Sequence, residues 1–372
     1  MRSSLRKLLV VALLLLALGA LIYRSRNAIS LQGFSWDRLA DSVQQARVSL
    51  LLLALVSIFV CYLIRALRWV RFSRYLGRPT FGNVFRSTLI GFTAVFLLGR
   101  VGEPIRPLLI ARKDRLPISG TFGIYALERV FDTASTAVIA ALSLLLFPTR
   151  LSPGAGNTAW EARMHTTGLV LLAGSFAAVI FLVYFRLHGA GALERRLAGW
   201  RAATGWKQRA AGLLAGFGEG LQAIRTFPDL VAAVVYSTAH WILVALIYLW
   251  VARSFGGRLA ELDFSGAMVV LAFTMVGSTV QLPAVGGGSQ AASFLAFTVV
   301  FGVEKEPAAA AAIMAWLISF TACSLVGVPL LIREGWSMGE LRRLARAEAE
   351  AEAAGAHVGE PGVTAKPGEP LR

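Results

Sequence analysis

Cysteine is nearly absent from this chain, and so is histidine. Its 372 residues hold two cysteines, Cys61 and Cys323, and four histidines. Both cysteines fall inside apolar stretches, so packed free thiols are expected rather than a disulfide framework or a thiolate metal site. The histidines, at 165, 188, 240 and 357, show no His-Glu-x-x-His or comparable metal spacing. No Gly-x-x-x-x-Gly-Lys-Ser/Thr phosphate loop occurs, nor a nucleophile elbow or a Ser/His/Asp set. The sequence therefore gives little support to catalysis, and no cofactor or metal is expected. Charge is scarce too, at 16% of residues, and one-sided: 21 Asp and Glu against 37 Lys and Arg, a net charge of +16. That excess does not point to nucleic acid as a partner. The basic residues sit in short loops between apolar runs, the pattern that orients a protein in a bilayer.

What the chain has instead is apolar sequence. The hydrophobic fraction is 56%, against roughly 45–50% in soluble domains, and the mean hydropathy is +0.64. A bilayer-crossing helix needs about 20 apolar residues. Runs suited to full spans occur at 8–23, 48–70, 119–147, 167–187, 227–252 and 308–332. Met1–Tyr23 has a basic start, a long apolar run and no clean small-x-small site, so an uncleaved first span or signal anchor is expected rather than a cleaved leader. Leu197–Ile224 mixes Arg201, Lys207 and Arg209 with small and apolar residues, as an interface-lying helix would. Residues 333–372 begin basic and continue rich in Gly, Pro, Ala and Glu, a composition that builds no core and predicts a disordered cytoplasmic tail.

Loop charge assigns sides. With the N-terminus, 65–78, 100–115, 186–225 and 333–346 on the cytoplasmic side, those segments hold 24 Lys and Arg, and the remaining loops hold 9. Both termini are then cytoplasmic, and the expected location is a bacterial cytoplasmic membrane. Two further apolar stretches, 81–118 and 264–302, are each interrupted by a Gly/Pro-rich break and flanked by loops of one side. Each reads as a re-entrant helical hairpin, since broken backbone at membrane depth must line a cavity or be buried in protein. The expected fold is thus all-α and polytopic, with about six full spans and two opposed hairpins. The halves, about 48–147 and 227–332, run in opposite directions as an inverted-topology repeat, linked by 167–225.

Charged residues inside the apolar runs are the candidate site, because ionisable groups at membrane depth are costly and face a partner or a polar cavity. In the first break, Gly99-Arg100-Val101-Gly102-Glu103-Pro104-Ile105-Arg106-Pro107, a short helix beginning near Pro104 would aim its N-terminus into the break. Arg100 and Arg106 flank that point with planar cationic forks suited to phosphate or carboxylate. They also suit a plainer role, as interfacial anchors neutralised by Glu103. Glu128 and Asp132 lie four residues apart on one helical face, with Arg129 displaced by about 100°. Two roles stand for them: an intramembrane ion-pair network with Arg100, Arg106, Arg65 or Arg68, or carboxylates that bind protons or steer a substrate. Arg65 and Arg68 fall near a span end and read as snorkelling anchors. His240 reads as a packed polar residue. The second break, with Gly286, Gly287 and Gly288 before Gln290, permits positive φ and close approach to a ligand, or a simple bend.

The run GRVGEPIRPLLIAR, ERVFD about 20 residues later, and PAVGGGSQ in the second half together resemble the flippase-like membrane domain family, best known as the membrane halves of bacterial lysyl-phosphatidylglycerol synthases. The resemblance covers about 40–332. It implies translocation of a lipid between leaflets. It also implies a substrate site at Arg100, Gly102, Glu103, Arg106, Glu128, Arg129 and Asp132. Gln290 stands where the family often has Glu. No aminoacyl-transferase domain follows, so the chain is not expected to make lysyl-lipid itself. The expected partners are a membrane phospholipid or polyprenyl-phosphate-linked lipid and a separate lipid-synthesising enzyme. A scaffold for an envelope enzyme, and an enzyme acting on a lipid-linked phosphate, are the alternatives.

Overall fold

The computed structural model describes residues 34–146, 158–184, 223–282 and 286–333, with isolated positions between 211 and 220. The expected span 8–23, most of the amphipathic helix at 197–224 and the tail from 334 lie outside the described residues. The first half contains α1 (Trp36–Gln44), α2 (Val48–Ser73), α3 (Phe81–Leu98), a 3-10 turn (Gly99–Gly102), α4 (Ile105–Asp114) and α5 (Ile118–Leu146). A linking helix, α6 (Thr158–Tyr184), packs on α5, where Gly168 lets it close against Ala141 and Leu145. The second half contains α7 (Phe227–Ser254), the short α8 (Gly257–Ala260), α9 (Phe264–Gly277) and a two-residue antiparallel ladder, β1 (Gln281–Leu282) with β2 (Gly286–Gly287). It continues with α10 (Gly288–Leu295), which ends in a π turn, then α11 (Lys305–Trp316), a second π turn (Leu317–Thr321) and α12 (Ala322–Arg333).

Among the described residues, four helices are long and apolar enough to cross a membrane: α2, α3, α7 and the continuous run Lys305–Arg333. Their amphipathy is inside out. On α2, Leu52, Val56, Val60, Leu63 and Leu67 are exposed, while Tyr62, Arg65, Arg68, Trp69 and Ser73 are buried. An apolar outer face around a polar interior is what a lipid solvent selects, because polar groups there must be satisfied within the protein. The chain is an integral membrane protein.

The central pair is α2 and α7, antiparallel along their length. The Arg47 amide donates to the Ser254 carbonyl at one end, Arg65 meets His240 in the middle, and Arg71 and Arg74 reach Asp229 at the other end. The segment 81–114 folds back on itself. Asn83 Nδ2 donates to Asp114 at 2.8 Å at the open end, and Gly91 lies against Arg106 midway. The segment 264–300 does the same: Thr274 and Ser293 hydroxyls meet at 2.7 Å, and Gly277 faces Gly288. One hairpin therefore opens beside the Ser73 end of α2 and the other beside the Ser254 end of α7, at opposite ends of the bundle. Their tips touch, β1 against the 3-10 turn. Each hairpin leans on the last helix of the other half. Gly327 of α12 sits over Leu89 and Thr93 of α3, and α9 packs on α5. Small residues at such crossings let helices approach closely without a hydrophobic driving force.

Candidate functional site: a cationic cavity between two hairpins

The site grows from two helices. On α2, Arg65, Arg68 and Trp69 are spaced i, i+3, i+4 and share a face. On α5, Glu128 and Asp132 share another, and the two faces meet. Glu128 is fully buried and accepts from Arg65 at 3.0 Å, Arg68 at 2.6 Å and the Trp69 indole at 2.9 Å, as well as from Arg106. Asp132 accepts from Arg65 at 2.9 Å and from Arg68 and Arg129 at 3.1 Å. Arg65 Nε donates to His240 Nε2 at 3.2 Å, which makes Nε2 the unprotonated nitrogen and locks the ring as a packed acceptor. Arg68 also donates to Ser237 at 2.8 Å.

This corrects the reading of Arg65 and Arg68 as snorkelling anchors. They are 7% and 1% exposed. Arg65 stands eight residues before the end of α2, about 12 Å at 1.5 Å per residue. At that depth a side chain turned toward carboxylates on a neighbour is better placed than one reaching for water.

Arg106 comes from the first hairpin. α4 begins at Ile105 after Pro104, as the prolines dictate. Gly91 on α3 leaves the space through which the Arg106 stem passes, since a Cβ there would fall 3.1 Å from its Cγ. The guanidinium then lies over the Trp69 ring, 5.0 Å from its centre, and pairs with Glu128. Glu103 does not take the expected place beside Arg106: its described partner is the Tyr125 hydroxyl on α5. Gly102 permits the fold-back, because a Cβ there would meet the Ala94 carbonyl. The side chain of Arg100 lies outside the described residues.

The second break is built differently. Gly286 and Gly287 have φ of 81° and 106°, conformations that glycine alone adopts cheaply. A Cβ at Gly286 would run into the Trp316 indole and the Gln290 amide. Gln290 folds back as an N-terminal cap, its Oε1 accepting from the Gly287 amide. Pro283, Ala284 and Val285 lie outside the described residues. None of Gly286, Gly287, Gly288 and Gln290 lines the cavity; Met275 and Ser278 represent this hairpin in the wall.

That cavity, about 360 Å³, lies where all these elements converge. Its polar side is Arg65, Glu103, Arg106, Tyr125, Arg129, Asp132 and His240, and its apolar side includes Phe92, Phe96, Trp241 and Val244. The π turn of the last helix adds Ser319 and Phe320; such turns re-aim side chains and cluster at functional sites. Among the described side chains, four guanidiniums (Arg65, Arg68, Arg106 and Arg129) stand with three carboxylates (Glu103, Glu128 and Asp132), one positive charge in excess. Glu128 is ten residues into α5, about 15 Å, half the roughly 30 Å hydrocarbon thickness of a bilayer. The arrangement can hold an anion at mid-depth. Sequence reasoning placed Glu128, Arg129, Asp132 and Arg106 as candidates, and they do converge. It missed Tyr125, Trp69 and Gly91. The one available signal was the Arg65/Arg68/Trp69 spacing opposite the Glu128/Asp132 spacing.

A polytopic helical membrane protein with a polar cavity between paired hairpins is the class these features define. The chain belongs to the family described as the lysylphosphatidylglycerol synthase TM region, which it matches over residues 5–327. The match reaches back into the first apolar run as well as across both halves. No curated protein and no solved structure matches the chain.

Proposed function

We propose that the protein is a lipid transporter that moves a phospholipid or a lipid-linked anionic substrate between leaflets. The observation that carries this reading is the excess positive charge beside an accessible cavity at mid-depth, in a family tied by its description to a lipid. On this reading the two hairpins are re-entrant, one from each face of a bacterial cytoplasmic membrane, with both termini in the cytoplasm. The halves are an inverted-topology repeat that rocks to expose the cavity alternately. Arg129 attracts the phosphate, Arg106 holds the frame through Glu128, and Glu103 holds Tyr125 in the wall. The sequence offers no nucleotide site, so transport is passive or driven by an ion gradient. A separate lipid-synthesising enzyme supplies the substrate.

The test is leaflet exchange in proteoliposomes, with tail-labelled phosphatidylglycerol, an aminoacylated phosphatidylglycerol and a polyprenyl-phosphate lipid, with and without an imposed proton gradient. Exchange of at least one probe above protein-free vesicles is the expected result. Absence of exchange for every probe under both conditions would count against transport. One observation favours a second reading: Glu128 and Asp132 are saturated by arginines, as a structural lock in a scaffold for an envelope enzyme would be. Stable capture of such an enzyme by a protein that exchanges no lipid would favour it.

A further inference from the structure

Within the cluster, one guanidinium differs from the other three. The side chains of Arg65, Arg68 and Arg106 are 9%, 1% and 5% exposed, whereas that of Arg129 is 40% exposed. Its ion pairs to Asp132 and Glu128 both run through Nη2, and its Nε has no hydrogen-bond partner. Tyr125, one turn earlier on α5, holds it from below, with the guanidinium 5.2 Å from the ring centre. Thr133 and Thr136 follow Arg129 at i+4 and i+7, on the same helical face. All three line the cavity, and Thr133 is exposed. From Tyr125 to Thr136 the stripe runs about 16 Å along the helix, roughly half a bilayer core. Phe92 and Phe96 of α3 line the same cavity with apolar rings. A polar ladder and apolar rings in one cavity match the two chemistries of one molecule, a head group and its chains.

We infer that Arg129, Thr133 and Thr136 form the subsite that carries a lipid phosphate through the cavity, while Arg65, Arg68 and Arg106 hold the frame. Arg129 takes the phosphoryl oxygens through Nη1, the terminal nitrogen outside its ion pairs, while Nε stays buried. The Thr133 hydroxyl donates to the same group or to glycerol oxygens beside it, while the Thr136 hydroxyl, which donates to the Thr133 carbonyl at 2.9 Å, accepts from a head-group hydroxyl further along α5. The inference rests on the transporter reading for its purpose, and on the geometry alone for its ligand, a phosphate borne by a lipid.

The experiment is equilibrium binding to the purified full chain in detergent, followed by tryptophan fluorescence, since Trp241 lines the same cavity. The probes are dihexanoyl-phosphatidylglycerol and inorganic phosphate. Arg129→Gln is expected to raise the Kd for the lipid by about tenfold or more, the worth of a charge-assisted hydrogen bond. Thr133→Val with Thr136→Val is expected to raise it about threefold, and the paired serine substitutions to restore it to within about twofold. The valine pair leaves the ion pairs intact, so its effect separates binding from misfolding. Unchanged lipid affinity in both Arg129→Gln and the valine pair would overturn the inference. So would inorganic phosphate binding as tightly as the lipid. Variant-sensitive lipid binding by a protein that exchanges no lipid in vesicles would remove the transporter reading and leave the subsite standing.

Discussion

The two hairpins open at opposite ends of the bundle, yet their tips are made from unlike chemistry. The first is charged and wired outward: Arg106 reaches Glu128 on α5, and Glu103 reaches Tyr125 on the same helix. The second is uncharged at its break, with Gln290 capping Gly287 and the glycines taking turns that other residues resist. The first half supplies the cavity with charge. The second supplies an uncharged wall, from His240 and Trp241 on α7 through Met275 and Ser278 to Ser319 and Phe320, and the turn at which the two tips meet. Both hairpins also make an outer contact, α3 on α12 and α9 on α5, the first with Gly327 over Leu89 and Thr93.

The comparison can be broken most forcefully at Glu128. Glu128→Gln leaves three buried arginines without their shared carboxylate, and removing one partner of a buried ion pair costs about 3–5 kcal/mol. A large fall in thermal unfolding temperature in detergent, with loss of the monodisperse protein, is expected. The second hairpin is next. Gly286→Ala forces a side chain into a positive-φ turn and against Trp316, a destabilisation of about 1–3 kcal/mol visible in the same melt. Gln290→Ala removes a cap worth about 1 kcal/mol and leaves lipid exchange near wild type, because the residue is outside the wall. Glu103→Gln sits at the other end of the scale. Its half-buried side chain changes stability by about 0.5 kcal/mol or less, while exchange of tail-labelled phosphatidylglycerol falls about tenfold. Loss of stability without loss of function marks the second tip, and the reverse marks the first.

Much of the framework was legible from hydropathy and punctuation. The helix expected at 81–98 is observed at Phe81–Leu98, and the break that follows it begins at Gly99, where φ is 69°. The helix expected at 227–252 runs to Ser254. The linking helix begins at Thr158 rather than 167, because its first turns are polar and escape an apolar-run criterion. The last helix carries a π turn at Leu317–Thr321 that no composition signal announces. Charges were legible as unusual but not as paired. Arg65 and Arg68 differ from Arg71, which is two residues from the end of α2 with a side chain 30% exposed, in depth and in the face they present to α5. That face is decided by the carboxylates of α5, some 60 residues away in the chain, which local sequence cannot weigh. The Tyr125–Glu103 contact was hidden for the same reason.

On the proposed reading, two hairpins of different chemistry enter the bilayer from opposite faces and build one cavity where their tips meet. That geometry is tested most directly by labelling with a membrane-impermeant thiol reagent, in sealed vesicles of one orientation. Cysteines are placed at the two open ends, Gly82→Cys and Glu261→Cys, in a background with Cys61 and Cys323 changed to serine. Gly82 has open space around its Cβ position, and Glu261 is exposed. The predicted result is labelling of the two positions from opposite sides of the membrane. Labelling of both from the same side would contradict it.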